Sequence, residues 1–275
     1  MCKNCIIDLA LVEDIGSGDI TTAAIVPDDL ILKAELQAKE DLVLAGLGVV
    51  KQVFEHFDPQ ITLESLHTDG NTVYKGEVIA RITGKANAIL TGERTALNFL
   101  QHLSGIASAT SLYVKLLEPY KAKLIDTRKT TPGMRTFEKY AVRCGGGQNH
   151  RLGLFGGIMI KDNHIAAAGS ITEAAKRARK NAPPVLKIEV ETTTLEEVKE
   201  AIAVEADIIM LDNMDVETIA QAVKLINGQA MTEASGDVNL SNIEAVAQTG
   251  VDYISVGRIT HSAKSVDISL EVVPS

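Results

Sequence analysis

From residue 121 onward the chain repeats one unit about every 22 residues: a short β-rich apolar run, then a helical stretch. The runs are LIDTRK, IMIKDNH, LKIEVE, DIIMLDN, AMTEASG and DYISVG. The last four end near Glu191, Asp212, Ser235 and Gly257, at intervals of 21, 23 and 22 residues. Helical spacing of apolar residues fills the gaps over 171–180, 194–204, 215–226 and 240–248. Strand and helix in alternation predict parallel βα units, because parallel neighbours need a crossover long enough to hold a helix. Six runs are clear and an eighth strand is not visible. The expected fold class is therefore α/β, an incomplete β/α barrel, with an open doubly wound sheet as the alternative.

Residues 1–120 follow another rhythm. Lys33–Ala38 alternates like a strand, and 42–57 has helical spacing through Val49, Val50, Val53 and Phe54. Asp69-Gly70 and Lys75-Gly76 punctuate short strands, and Glu93 to Leu117 reads as a helix interrupted near Ser104-Gly105. This mixture predicts an α+β domain over 1–110, followed by the barrel over 111–265.

Charge narrows the function. The chain carries −9 overall, which argues against general nucleic-acid binding. Residues 121–161, however, hold nine Lys or Arg against Asp126 and Glu138, a net of +7, so the rest carries −16. A basic island in an acidic chain points to a small polyanionic ligand met locally; a solvated basic face is the bland alternative. No apolar run approaches the roughly 18 residues a membrane helix needs. At the start, Glu13 and Asp14 follow the apolar stretch at once, unlike a signal peptide. Three cysteines cannot build a disulfide framework, and Cys2 and Cys5 form a lone CxxC without a second pair. A cytoplasmic location is expected.

The strand ends hold the chemistry. Arg128, Lys129, His150, Arg151 and Lys161 supply cations at the first two runs, and Glu191 and Asp212 supply carboxylates at the middle two. Ser235-Gly236 and Gly257, with His261 just beyond, stand where small residues let backbone N–H groups approach a phosphate. Two carboxylates on one rim beside that cradle suit Mg²⁺; capping of the next helix, with Asp212-Asn213 before Val216, is the plain reading. Glu189 is set aside by its place next to Val190, and the role goes to Glu191. Lys161 could instead form a Schiff base, as in an aldolase. Gly145-Gly146-Gly147 is read as a mobile loop that brings Asn149, His150 and Arg151 over the mouth. Gly16-Ser17-Gly18 is read as a turn.

DTRKTTPGMRTFEKYAVRCGGGQNHRLGL followed by IMIKDNH closely resembles the quinolinate phosphoribosyltransferase family, as do GERTALNFLQHLSGIAS, IEVE, IIMLDN, EASG, ISVGRITHS and EDIGSGDITT. The likeness runs nearly end to end, and the intact TRK, NHR and KDNH runs favour it over a paralogue of the same fold associated with molybdate transport. A non-catalytic sugar-phosphate-binding protein is a third possibility, one that gives paired acids opposite a basic pocket no purpose. The resemblance implies that quinolinate and phosphoribosyl pyrophosphate give nicotinate mononucleotide, pyrophosphate and CO₂, with Mg²⁺, in de novo NAD synthesis. It implies an α/β N-terminal domain packed on the barrel, a tail (266–275) returning to the first domain, and dimers or hexamers with shared sites. It further implies that Arg94 reaches into a partner's site. Arg128, Lys129, His150, Arg151 and Lys161 would bind quinolinate carboxylates and nearby phosphates. Glu191 and Asp212 would bind ribose hydroxyls and metal, and Ser235, Gly236, Gly257 and His261 would hold phosphate. Asp237 departs from the family pattern, in which a second Gly follows.

Overall fold

A computed structural model of the chain describes residues 3–273, with side chains from Ile6 onward. Cys2 and the Cys5 side chain, and with them the CxxC reading, lie outside the described residues. The chain divides into two compact units: Met1–Ser111, Thr131–Gly146 and Ser262–Ser275 form one, Leu112–Thr130 and Gly147–His261 the other.

The first unit contains β1 (Ile31–Ala38), β2 (Leu42–Val43), β3 (Thr62–Ser65), β4 (Thr72–Val73) and β5 (Val78–Lys85). Its antiparallel sheet has the order β12-β1-β5-β3, with β12 spanning Ile268–Val272. Along β1, Ala34, Leu36 and Ala38 are buried, the period-two pattern of a sheet with one covered face. Helix Leu47–Phe57 buries Val49, Val50, Val53 and Phe54, while Leu42–Val43, expected to begin it, is the strand β2 paired with β4.

The 32-residue helix Ala86–Leu117 runs without the break expected at Ser104-Gly105. Those two small residues serve packing instead. An added Cβ on Gly105 would lie 2.1 Å from the Lys264 carbonyl oxygen, and Ser104 Oγ accepts the Ala45 N–H at 3.0 Å.

Thr131–Gly146, which falls inside the sequence-based barrel span of 111–265, groups with the first unit. Glu138, on helix Arg135–Cys144, is fully buried; it accepts the Thr131 N–H at 3.1 Å and lies 2.9 Å from His102 Nε2.

The second unit is a six-stranded parallel sheet of β6 (Lys123–Ile125), β7 (Ile158–Ile160), β8 (Ile188–Thr192), β9 (Ile208–Asp212), β10 (Met231–Ser235) and β11 (Tyr253–Ser255). Its order is β6-β11-β10-β9-β8-β7. Strands 7 to 11 follow one another without reversal, and the first strand returns beside the last. That is the strand order of a barrel; a doubly wound sheet would reverse direction at a switch point. Among the described residues β6 and β7 do not pair, so the barrel is incomplete there.

Gln148 lies alongside β6 instead: its N–H donates to Leu124 O at 2.9 Å, and its carbonyl accepts the Asp126 N–H at 3.1 Å. Gly145 closes the helix before it by donating to Ala141 O at 3.0 Å. The glycine run is thus a helix end leading into a hydrogen-bonded extended segment, not the mobile loop expected from its composition.

Helices follow the strands with side-chain caps. Ser170 accepts the Glu173 N–H, Thr194 and Glu197 form a reciprocal capping box, and Asp215 accepts the Thr218 N–H. Asp215, not Asp212, therefore caps Val216–Ile226. Asp212 is left for other work.

Candidate active site

The barrel's alternation decides which side chains meet. Glu189 and Glu191 in β8, Met210 and Asp212 in β9, and Glu233 and Ser235 in β10 sit two apart and so share their strand's face. The register puts Glu191 and Glu233 both opposite Met210, and Ser235 opposite Asp212. At the carboxyl ends of these strands lies a cavity of about 570 Å³. Arg128, Lys129, His150, Arg151, Lys161, Glu191, Asp212, Ser235 and Gly236 all line it. The charged groups marked out at the strand ends come together on one rim.

Lys161 follows β7 and its amine pairs with the Glu191 carboxylate on the neighbouring strand. An amine held in an ion pair is suited to contact anions rather than to attack a carbonyl. Asp212 accepts from Asn213 Nδ2 at 2.7 Å through one carboxylate oxygen. Burial and the adjacent Arg128 charge pull Arg151 below the usual guanidinium range, while Glu189 pulls it back. Arg151 Nη1 donates to Gly157 O at 2.9 Å, and its Nε is buried without a partner.

After β10 the chain makes a turn that only glycine can make at 236. Gly236 has φ +97°, and an added Cβ would lie 2.2 Å from Asn213 Oδ1. Asp237 follows at φ +45°, a left-handed conformation that Asp tolerates better than most side chains. Its carbonyl accepts from Asn239 Nδ2 and Asn242 Nδ2, both at 3.2 Å. The departure from the family pattern thus sits where a glycine would be at ease, and it also lines the cavity.

Three of the residues marked out in the sequence, Gly257, His261 and Arg94, do not line the cavity. Gly257 and His261 lie beside it: a Cβ on Gly257 would meet Lys129 Cδ at 3.0 Å and His261 Cδ2 at 3.3 Å. Arg94 is exposed on helix Ala86–Leu117, in the first unit.

Glu233, and Glu189 which sequence reasoning set aside, prove central. They are 1% and 4% exposed, and both approach His150, whose Nε2 lies 3.1 Å from Glu189 Oε2 and 3.5 Å from Glu233 Oε2. Burial lifts the Glu189 carboxyl above its usual range; the His150 contact opposes this and the Glu233 charge adds to it. For His150 burial disfavours the charged ring, and the two carboxylates outweigh it and raise its pKa. The signal was present as a charged residue inside each apolar run, IEVE and MTEAS. Glu189 shares its strand face with Glu191, two residues on, and not with its neighbour Val190.

This arrangement can hold a small polyanion between cations and offer carboxylates to a sugar or a metal. Comparison with known proteins narrows that class. Residues 19–104 match the family described as "Quinolinate phosphoribosyl transferase, N-terminal domain", and residues 106–271 match its C-terminal domain. The chain belongs to the quinolinate phosphoribosyltransferase family. A relative from Bacillus subtilis (strain 168), named "Probable nicotinate-nucleotide pyrophosphorylase [carboxylating]", is 49% identical over 96% of this chain and 91% of its own. Among solved structures, NadC from Streptococcus pyogenes superposes with a TM-score of 0.94 at 47% identity, covering 98% of this chain and 97% of that one. The nicotinate-nucleotide pyrophosphorylase from Francisella tularensis gives 0.95 at 43%, covering 99% and 98%. The quinolinate phosphoribosyltransferase fold, an incomplete barrel with an antiparallel N-terminal sheet, is the one described above.

Proposed function

We propose that this chain transfers the phosphoribosyl group of phosphoribosyl pyrophosphate to quinolinate and releases CO₂, forming nicotinate mononucleotide and pyrophosphate in NAD synthesis. The observation that carries this reading is the convergence of Arg128, Lys129, Arg151 and Lys161 with Glu191 and Asp212 on one cavity. An acidic chain that binds a dicarboxylate and a polyphosphate together needs its positive charge concentrated there.

Arg128 and Arg151 take the quinolinate carboxylates, and Lys129 and Lys161 the carboxylate and phosphate oxygens beside them. Ser235 and Gly236 offer backbone to the phosphate of the sugar, with Gly257 and His261 close by. The pyridine nitrogen forms a bond to ribose C1 as the C1–pyrophosphate bond breaks. Positive charge develops on the sugar, where the Glu191 and Asp212 carboxylates stabilise it, and negative charge develops on the leaving group, where Lys161 does so. The C2 carboxylate then leaves as CO₂. Its bonding pair stays on the ring carbon beside the now cationic nitrogen until a solvent proton arrives. No side chain is needed as a nucleophile, and catalysis is positioning and electrostatics.

Glu191 and Asp212 also suit Mg²⁺, which favours one or two carboxylates plus substrate phosphates. Asp212 keeps an oxygen beyond the one given to Asn213. When bound, the ion would neutralise charge building on pyrophosphate. The same reading places Arg94 in the site of a neighbouring subunit, in a dimer or hexamer, and the protein in the cytoplasm. No helix among the described residues is long and apolar enough to cross a membrane.

Titration of quinolinate into the wild type and Arg128→Ala tests the reading. One lost charge-assisted contact should weaken binding by about 10- to 100-fold. Equal affinity in the two proteins would contradict it.

A further inference from the structure

His150 stands between two cavities of the second unit. One is the cavity at the carboxyl ends of the strands. The other, about 350 Å³, opens among Lys187, Ile208, Met231 and Tyr253 near the strands' amino ends, and His150, Arg151 and Glu233 line both. The fully buried Asp126 fixes the backbone here, accepting the His150 N–H at 2.8 Å and Asn149 Nδ2 at 2.7 Å.

The ring is held from both sides. Nε2 meets Glu189 and Glu233, while Nδ1 accepts the Arg151 backbone N–H at 2.6 Å. That second bond needs a lone pair on Nδ1, which assigns the ring proton to Nε2, where it is donated toward the carboxylates. The two carboxylates pull toward a second proton, but one on Nδ1 would face the Arg151 N–H, and the short contact decides the form. His150, Glu189 and Glu233 place a ring nitrogen and two carboxylate oxygens within 4.8 Å of one another, a spacing compatible with a metal. A protonated Nε2 has no lone pair to offer one. Two almost fully buried acids inside an anion-binding barrel are unfavourable in themselves, and the Oε1 atom of each has no partner.

We propose that Glu189 and Glu233 are positioning residues for the quinolinate half of the site, acting on Arg151 through His150. The two acids fix the ring at Nε2, the ring fixes the Arg151 backbone at Nδ1, and the Arg151 guanidinium, which borders the cavity, is thereby aimed at a substrate carboxylate. The inference rests on the quinolinate reading above.

Steady-state kinetics of the full chain test it, with both substrates varied in wild type, Glu189→Ala, Glu189→Gln and Glu233→Gln. Glu189→Ala should raise KM for quinolinate about tenfold, leaving KM for phosphoribosyl pyrophosphate within about twofold. Glu189→Gln, which keeps an acceptor oxygen, should recover most of that loss, and Glu233→Gln should show a smaller rise of the same selectivity. Both KM values moving together with kcat, or Gln behaving no better than Ala, would overturn the positioning role. Should the Ala variant fail to fold, ¹⁵N spectra of the wild-type His150 ring decide. A proton on Nε2 with Nδ1 bare throughout the active pH range supports the proposal, and a proton on Nδ1, alone or together with one on Nε2, overturns it. A wild type that makes no nicotinate mononucleotide would instead remove the quinolinate reading itself.

Discussion

Lys161 and Glu191 form an ion pair at the carboxyl ends of the adjacent strands β7 and β8, on the rim of the cavity. The Lys161 side chain is 40% exposed, so the pair adds little to stability, on the order of 0 to 1 kcal/mol. Its value lies in holding a cation where anions arrive. Lys161→Ala should therefore lower kcat about 10²- to 10³-fold, the usual loss when one transition-state charge contact is removed. The melting temperature should shift by no more than a few degrees, as ~1 kcal/mol would dictate. Turnover assays and thermal melts check both halves, and a large fall in melting temperature would assign Lys161 to the fold instead.

The turn after β10 separates a conformational requirement from an electrostatic one. Gly236→Ala places a methyl against Asn213 and forces φ +97° on a side chain, a strain of roughly 1–3 kcal/mol. It should destabilise the protein and raise KM for phosphoribosyl pyrophosphate. Asp237→Gly keeps a residue comfortable at φ +45° and removes a negative charge from the cavity lining. That change should lower the same KM with little effect on stability. Kinetics of the two variants side by side read this difference directly.

A pH prediction comes from Asp252 at the base of the barrel. Burial works to raise its pKa, but the Thr232 N–H and hydroxyl, each donating at 2.8 Å, and Lys121 at 3.0 Å outweigh burial and lower it. A lowered folded pKa gives stability that is complete above the unfolded value of about 4 and lost as pH falls through the lower folded value. Asp252→Asn should thus be less stable than wild type at pH 7, with the gap narrowing below about pH 4. A gap that does not narrow on acidification would contradict the pairing.

If Arg94 acts in a partner's site, Arg94→Ala and Lys161→Ala proteins, each strongly impaired alone, should regain activity when their subunits exchange. Mixed dimers can then hold one site with both residues intact. Verified exchange without recovery would count against a shared site.

What could be read from the chain, and what could not, follows from where the information lies. The strand–helix spacing near 22 residues and the polar strand ends exposed the barrel and its rim before any coordinates, because both are local. The outcomes at Ser104-Gly105 and at Gln148 depended on partners distant in sequence, Lys264 and the β6 edge. Likewise Asp212 looked like a cap until Asp215 proved to be one. Glu233 was hidden for another reason: an acid in the middle of a strand becomes informative only when β8 and the segment before β7 bring Glu189 and His150 to it.

The central claim is that the second unit's cavity joins quinolinate to a phosphoribosyl group and releases CO₂. Purified protein supplied with quinolinate, phosphoribosyl pyrophosphate and Mg²⁺ should form nicotinate mononucleotide, pyrophosphate and CO₂ in equal amounts, and Arg128→Ala should need about 10- to 100-fold more quinolinate to do so. Absence of nicotinate mononucleotide from the wild-type reaction, or CO₂ release that does not match it, would contradict the account.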